Sequence, residues 1–110
     1  MKIAEAVELW CGSLRRRGRS ERTIVWYRMW LADLARSLLL DDVALITLAD
    51  LRRWVDGLQA RNLSPCSVRG AVASVRAFCR WLVGEGVLAE DPSIRLEKPA
   101  LPERLPVALE

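Results

Sequence analysis

Apolar residues return every third or fourth position through most of this chain. Ile3, Val7, Trp10 and Leu14 stand at i, i+4, i+7 and i+11, which predicts a first helix over about residues 2–16. Arg17-Gly18-Arg19 interrupts it, and Ser20 is a favoured N-cap type for a second helix. The inner stripe of that helix, Tyr27, Leu31, Leu34 and Leu38, carries it to about residue 38. Thr47-Leu48-Ala49-Asp50 fits a capping box with Asp where Glu is usual, and Leu48, Leu51, Val55 and Leu58 continue a third helix to near Asn62. Ser64-Pro65 supplies a cap and an N1 proline. Val68, Val72, Val75, Cys79 and Leu82 then line a fourth helix that Gly84 and Gly86 stop. Beyond it Asp91-Pro92, Lys98-Pro99 and Leu101-Pro102 carry no helical spacing and predict an extended linker. No strand pattern, internal repeat or low-complexity tract is readable. The expected fold is all-α: a compact four-helix bundle over residues 1–90, with an extended C-terminal linker over 91–110.

The 110 residues and 52% apolar content suit one domain with a modest core and argue against disorder. No apolar run approaches the roughly 18 residues that span a bilayer. Glu5 and Glu8 interrupt the start where a signal peptide would be apolar, so a cytoplasmic protein with no membrane contact is expected. Cys11, Cys66 and Cys79 are odd in number and widely spaced, and there is no histidine. That composition predicts neither a metal site nor a disulfide framework, and assigns the three cysteines to half-buried apolar positions. No cofactor motif is readable, and no cofactor is expected.

Charge changes the picture because it is segregated. Residues 13–36 carry seven arginines against Glu21 and Asp33, and residues 64–84 carry Arg69, Arg76 and Arg80 with no acid. The remaining segments are mildly acidic, although the whole chain is +3. Such separation suits a polyanion, and arginine's planar fork suits phosphates and guanine edges. On the fourth helix, positions 69, 73, 76 and 80 share a face that reads Arg, Ala, Arg, Arg. Gly70, Ala73 and Ala77 keep that surface low, so it can approach a groove closely. An ordinary solvated face would instead carry acids at i±4.

The N-terminus of the second helix exposes free N–H groups and a positive dipole end. There Ser20, Arg22 and Thr23 are candidate phosphate contacts, with Arg28 further along. The run Arg15-Arg16-Arg17-Gly18-Arg19 is read as neutralising the first helix's C-terminal dipole in solvent. Trp10, Trp54 and Trp81 are assigned to the core. Trp26 and Met29 fall outside the second helix's inner stripe and are candidates for docking a partner.

Three stretches resemble the core-binding domain of tyrosine recombinases, the phage-integrase and Xer-type family. They are Ser20-x-x-Thr23-x-x-x-Tyr27, the run Val75-Arg76-Ala77-Phe78-Cys79-Arg80-Trp81-Leu82, and Asp91-Pro92 before the linker. The resemblance covers about residues 3–103. It implies a SAM-like bundle that forms one half of a clamp on double-stranded DNA, with its second and fourth helices toward the major groove. It further implies contacts from Arg22, Thr23, Ser67, Arg69, Arg76 and Arg80, with Lys98 near the phosphate track beside the linker. It implies that a catalytic domain of the same parent chain follows the linker, and that neighbouring recombinase protomers can meet on DNA. Three positions depart from the family pattern: Asp91 replaces Asn, Cys79 replaces an aromatic residue, and Gly70 stands where a second basic residue is frequent.

That family's chemistry uses a tyrosine nucleophile with arginines, a lysine and histidines around the phosphate. Here the single tyrosine, Tyr27, lies on a core stripe and histidine is absent, so no catalytic residue is assigned. Two other functions compete with DNA gripping. A SAM-like adaptor would use Trp26 and Met29 as anchors and its arginines for solubility. A helix-turn-helix regulator would need a tight turn, whereas residues 39–46 form a long connection.

Overall fold

In this computed structural model, which describes residues 1–100, α1 spans Ile3–Arg16, α2 Glu21–Ser37, α3 Leu48–Ala60 and α4 Pro65–Gly84. Local chemistry that the sequence carries starts α2, α3 and α4 and ends α1, α3 and α4. Ser20 Oγ accepts from Thr23 N–H at the start of α2, and Ser64 Oγ accepts from Ser67 N–H at the start of α4. Thr47 and Asp50 form the expected capping box on α3, each side chain accepting from the other's backbone N–H at 3.0–3.1 Å. Gly18, Asn62 and Gly86 follow the ends of α1, α3 and α4 with φ near +60 to +80°, the left-handed geometry that closes a helix. At Gly18 both Schellman bonds are present: Arg19 N–H donates to Leu14 O and Gly18 N–H to Arg15 O.

The core follows the predicted stripes. All five predicted inner residues of α4 are buried, joined by Ala71, Ser74 and Phe78, and Ser74 meets its polar need by donating to Gly70 O at 2.8 Å. Trp10 of α1 is 1% exposed and lies between Tyr27 of α2 (ring centroids 4.8 Å apart) and Phe78 of α4 (5.4 Å). On α2, Ile24 and Trp30 are buried beside Leu31 and Leu34, whereas Tyr27 and Leu38 are half-buried. Cys11 and Cys79 are buried, and burial pushes the Cys79 thiol up to about 12. Cys66 is exposed on the first turn of α4, unlike the half-buried position expected for it.

The long connection between α2 and α3 is not loose. Ile3 N–H donates to Asp41 O and Val43 N–H to Met1 O, pairing residues 41–43 with the N-terminus ahead of a short 3-10 turn at Val43–Leu45. Val43 and Ile46 reach the core from it. These backbone pairs stand in for a side-chain cap, which Lys2 does not give α1.

The stretch read as an extended linker begins by packing. Asp91 Oδ1 accepts from both the N–H and the hydroxyl of Ser93, closing a turn, and Leu96 behind it is 3% exposed. A lone leucine after a turn has no period for a sequence reading to detect. The carboxylate of Asp91 serves this turn as an acceptor-only group, which accommodates the replacement of Asn. Leu101-Pro102 and the rest of the expected linker lie outside the described residues.

Asp33 ties α2 to α3. Trp54 Nε1–H donates to it at 2.9 Å, and Arg61 and Arg36 stand at 3.0 and 3.2 Å. Burial favours the neutral acid, but the Trp54 and Arg61 hydrogen bonds and the charges of Arg61 and Arg36 outweigh it, holding Asp33 below the ordinary aspartate range. A depressed folded-state pKa contributes stability that is complete above the unfolded value and lost as pH falls through the folded one. Asp33→Ala is therefore expected to cost about 2 kcal/mol at pH 7, since it strands a buried indole N–H. Urea unfolding should show the difference from wild type shrinking below about pH 4; a gap that is constant down to pH 2 would contradict the assignment.

Candidate nucleic-acid interface

Small residues on α4 let α2 come close. An alanine Cβ at position 70 would stand only 2.8 Å from the Trp26 ring, so the indole of α2 lies directly over Gly70 of α4. Trp26 meets Trp30 edge-to-face at 5.7 Å and stays 42% exposed. The seam thus formed holds two hollows that share Tyr27. One is bordered by Arg22, Thr23, Trp26, Gly70 and Ala73. The other is reached by Arg17, Arg19 and Arg80 over a floor that includes Trp10, Leu14 and Ala77. Among the described residues no carboxylate lines either hollow.

Other faces differ. The hollow between α3 and residues 96–99 holds Asp56 and Glu97 beside Arg52. The one between α2 and α3 holds Asp33 among Arg36, Arg53 and Arg61, and the one beside Leu38–Leu40 holds Asp50 with Arg53. Arg15, Arg28, Arg36, Arg52, Arg53 and Arg61 are all in ion pairs. Arg17, Arg19, Arg22 and Arg80 are exposed and have no carboxylate partner among the described residues. Glu21, the acid nearest them in sequence, accepts from Arg15 Nε at 3.0 Å, and that bond keeps its pKa below the usual carboxylate range.

The sequence-predicted residues therefore separate into groups. Arg22, Thr23 and Arg80 stand on the seam. Ser20 and Thr23 share the α2 cap, with the Ser20 hydroxyl donating to Thr23 Oγ1 at 3.1 Å. Ser67 repeats that arrangement with Ser64 at the start of α4. Arg28 turns toward α1 and binds Glu8 at 2.9 Å, because six positions along a helix place it about 120° around from Arg22. Arg69 and Arg76 do not stand free as their acid-free helix suggests. Arg69 Nη1 donates to Pro99 O at 3.0 Å, and Arg76 Nη1 reaches Leu96 O at 3.4 Å. Lys98 is exposed on the same segment. Gly70 is not an open low spot, since Trp26 covers it. Arg17 and Arg19 were passed over in the sequence as a helix-end charge run. Gly18 was the available signal, since its left-handed turn carries the chain back along the bundle between them.

The profile described as "Phage integrase, N-terminal SAM-like domain" matches residues 7–86. Tyrosine recombinase XerC of Corynebacterium efficiens is 31% identical over 109 residues, which cover 98% of this chain and 34% of that protein. Tyrosine recombinase XerC of Neisseria meningitidis serogroup B is 30% identical, over 97% of this chain and 36% of that protein. The chain thus spans about a third of the length of the curated relatives it matches. Among solved structures, a lambda integrase dimer bound to a COC′ core site superposes with a TM-score of 0.81 at 14% identity, over 94% of this chain and 29% of that one. The N-terminal domain of the prophage pi2 protein 01 integrase of Lactococcus lactis gives 0.71 at 24% identity, over 86% and 90%. At these identities the structural likeness is one of fold.

Gly70 and Trp26 are expected to behave as a coupled pair. Glycine to alanine in a helix interior normally gains up to about 1 kcal/mol, whereas overpacking costs about 1–3 kcal/mol. Gly70→Ala should therefore lower the urea midpoint of the otherwise wild-type chain and raise it in a Trp26→Ala background. The same sign in both backgrounds would show that the ring does not depend on the missing Cβ.

Proposed function

This chain belongs to the phage-integrase N-terminal SAM-like domain family, and on that premise we propose that it is the core-binding domain of a tyrosine recombinase, gripping duplex DNA along the α2–α4 seam. One observation carries the reading: Arg17, Arg19, Arg22 and Arg80, none with a carboxylate partner among the described residues, gather at the two hollows of that seam, while Arg36, Arg52, Arg53 and Arg61 of the other hollows are paired and, of the described arginines, only Arg16 and Arg95 stand exposed and unpaired elsewhere. A solvated helix face would have mixed signs. Arg22 and Arg80, helped by Arg17 and Arg19, hold backbone phosphates on either side of the seam. Thr23 adds its free hydroxyl hydrogen, and the first N–H groups of α2 add their dipole end. Ser20 holds that end in shape. Ser67 at the start of α4 and Lys98 lie further along the phosphate path. Contacts of this kind fix register and orientation more than sequence. The 20 residues of α4 make a rod of about 30 Å, long enough to follow a major groove across most of a turn.

Strand cleavage and rejoining belong in this reading to a catalytic domain of the same parent chain. Tyr27 is packed on Trp10, and no histidine is present to move a proton. The relatives named XerC are tyrosine recombinases roughly three times as long. A cytoplasmic location follows from the proposed substrate. A second reading rests on Val25 and Met29, exposed on α2 beside Trp26: a face of this kind suits contact with a neighbouring protomer or another protein.

Fluorescence anisotropy with a labelled duplex of about 20 base pairs separates the two. Binding should weaken with salt along a log–log slope of about −0.9 per phosphate neutralised. Arg22→Ala and Arg80→Ala should each weaken binding about fivefold and flatten the slope by about one phosphate, with helicity by circular dichroism unchanged. Arg28→Ala should leave the slope as it is. Salt-tolerant self-association without duplex binding would favour the protein-contact reading instead.

A further inference from the structure

Residues 96–99 return across α4 and are held at three points. Leu96 is buried and its carbonyl faces Arg76. Glu97 receives a two-pronged contact from Arg52 of α3, Nε to Oε1 and Nη2 to Oε2, both at 3.0 Å. The Pro99 carbonyl accepts from Arg69 at 3.0 Å. These ties differ in kind. Leu96 is anchored by burial. The Arg52–Glu97 fork is exposed on both sides and is easily exchanged for water and salt. The Arg69 bond pairs a cation with a neutral oxygen, and a phosphate oxygen is a stronger partner for the same guanidinium.

We propose that residues 96–99 form a strap latched by Arg52–Glu97, and that Arg69 exchanges the Pro99 carbonyl for a phosphate when duplex DNA arrives, releasing the chain beyond Leu96 to a new direction. This rests on the DNA-gripping reading and adds a regulation to it. Arg69 is then a positioning residue in the free protein and a phosphate ligand in the complex. Arg76, whose bond to Leu96 O is longer, follows with less displacement because Leu96 itself stays buried. The two ends of the exchange are linked reciprocally: whatever loosens the strap favours DNA, and DNA loosens the strap. The direction in which the chain leaves the bundle thereby reports whether the α4 face is occupied.

A nitroxide at Ala100→Cys, in a Cys66→Ser background that leaves only the buried Cys11 and Cys79, reads the strap directly. In the free protein the label should be slowed, and saturating 20-base-pair duplex should speed it severalfold. Arg69→Ala should give the fast spectrum without DNA, and duplex should then change it no further. Arg52→Ala should also speed the label in the free protein. The swapped pair Arg52→Glu with Glu97→Arg, which keeps the net charge and can rebuild the fork, should slow it again. A label equally mobile in wild type and Arg69→Ala would overturn the strap. A label unmoved by duplex that anisotropy shows to be bound would overturn the exchange. If no duplex binds at all, the DNA reading fails and the exchange with it, while the comparison of free wild type with Arg69→Ala still decides whether α4 holds the strap.

Discussion

Trp10 is where three helices meet. Its indole contacts Tyr27 on one side and Phe78 on the other, so the rotation of α2 and α4 about their axes is set by a residue of α1. Rigid aromatic contacts allow few alternative registers, because a slip of one residue turns each ring out of the core by about 100°. With that joint fixed, Gly70, Ala73 and Ala77 face α2, and the pairing of Trp26 with Gly70 follows. The seam where Arg17, Arg19, Arg22 and Arg80 gather is a product of this packing.

The sorting of the arginines has a simple physical basis. Fifteen arginines are too many for the fourteen acids to neutralise evenly, particularly with several acids engaged in caps and turns. Asp50 and Asp91 serve backbone N–H groups, and Asp33 serves Trp54 as well as Arg61. Three others tie elements to one another: Glu8 to α2, Glu21 to α1, Glu97 to α3. Among the described residues no acid lines the hollows of the α2–α4 seam, so the positive potential there is left uncancelled.

Much of this was legible in the residue order. Serine, threonine and glycine at helix ends act within four residues, so the four helices and the N-caps of α2, α3 and α4 could be read directly, including the Asp50 variant of the capping box. The inner stripe of α4 could be read because five residues keep one period. What could not be read depends on partners far along the chain. Nothing near Arg28 announces Glu8, and nothing near Arg69 announces a carbonyl thirty residues away. The absence of acids on α4 goes with an Arg80 that has no carboxylate partner among the described residues, but it does not foretell that Arg69 meets the Pro99 carbonyl, since backbone oxygens leave no mark in a charge pattern. The single buried Leu96 escaped for a related reason: prolines around it suggest an extended path, and one apolar side chain cannot establish a periodicity against them.

The family resemblance implies a basic residue at position 70, and here the chain carries glycine. The Trp26 ring occupies the volume that any side chain at 70 would need, so the two sites constrain each other's history. A basic residue can stand there only if its neighbour at position 26 is smaller than tryptophan. Lineages with tryptophan at 26 should therefore stay separate from those with arginine or lysine at 70, each keeping its own solution to the same contact.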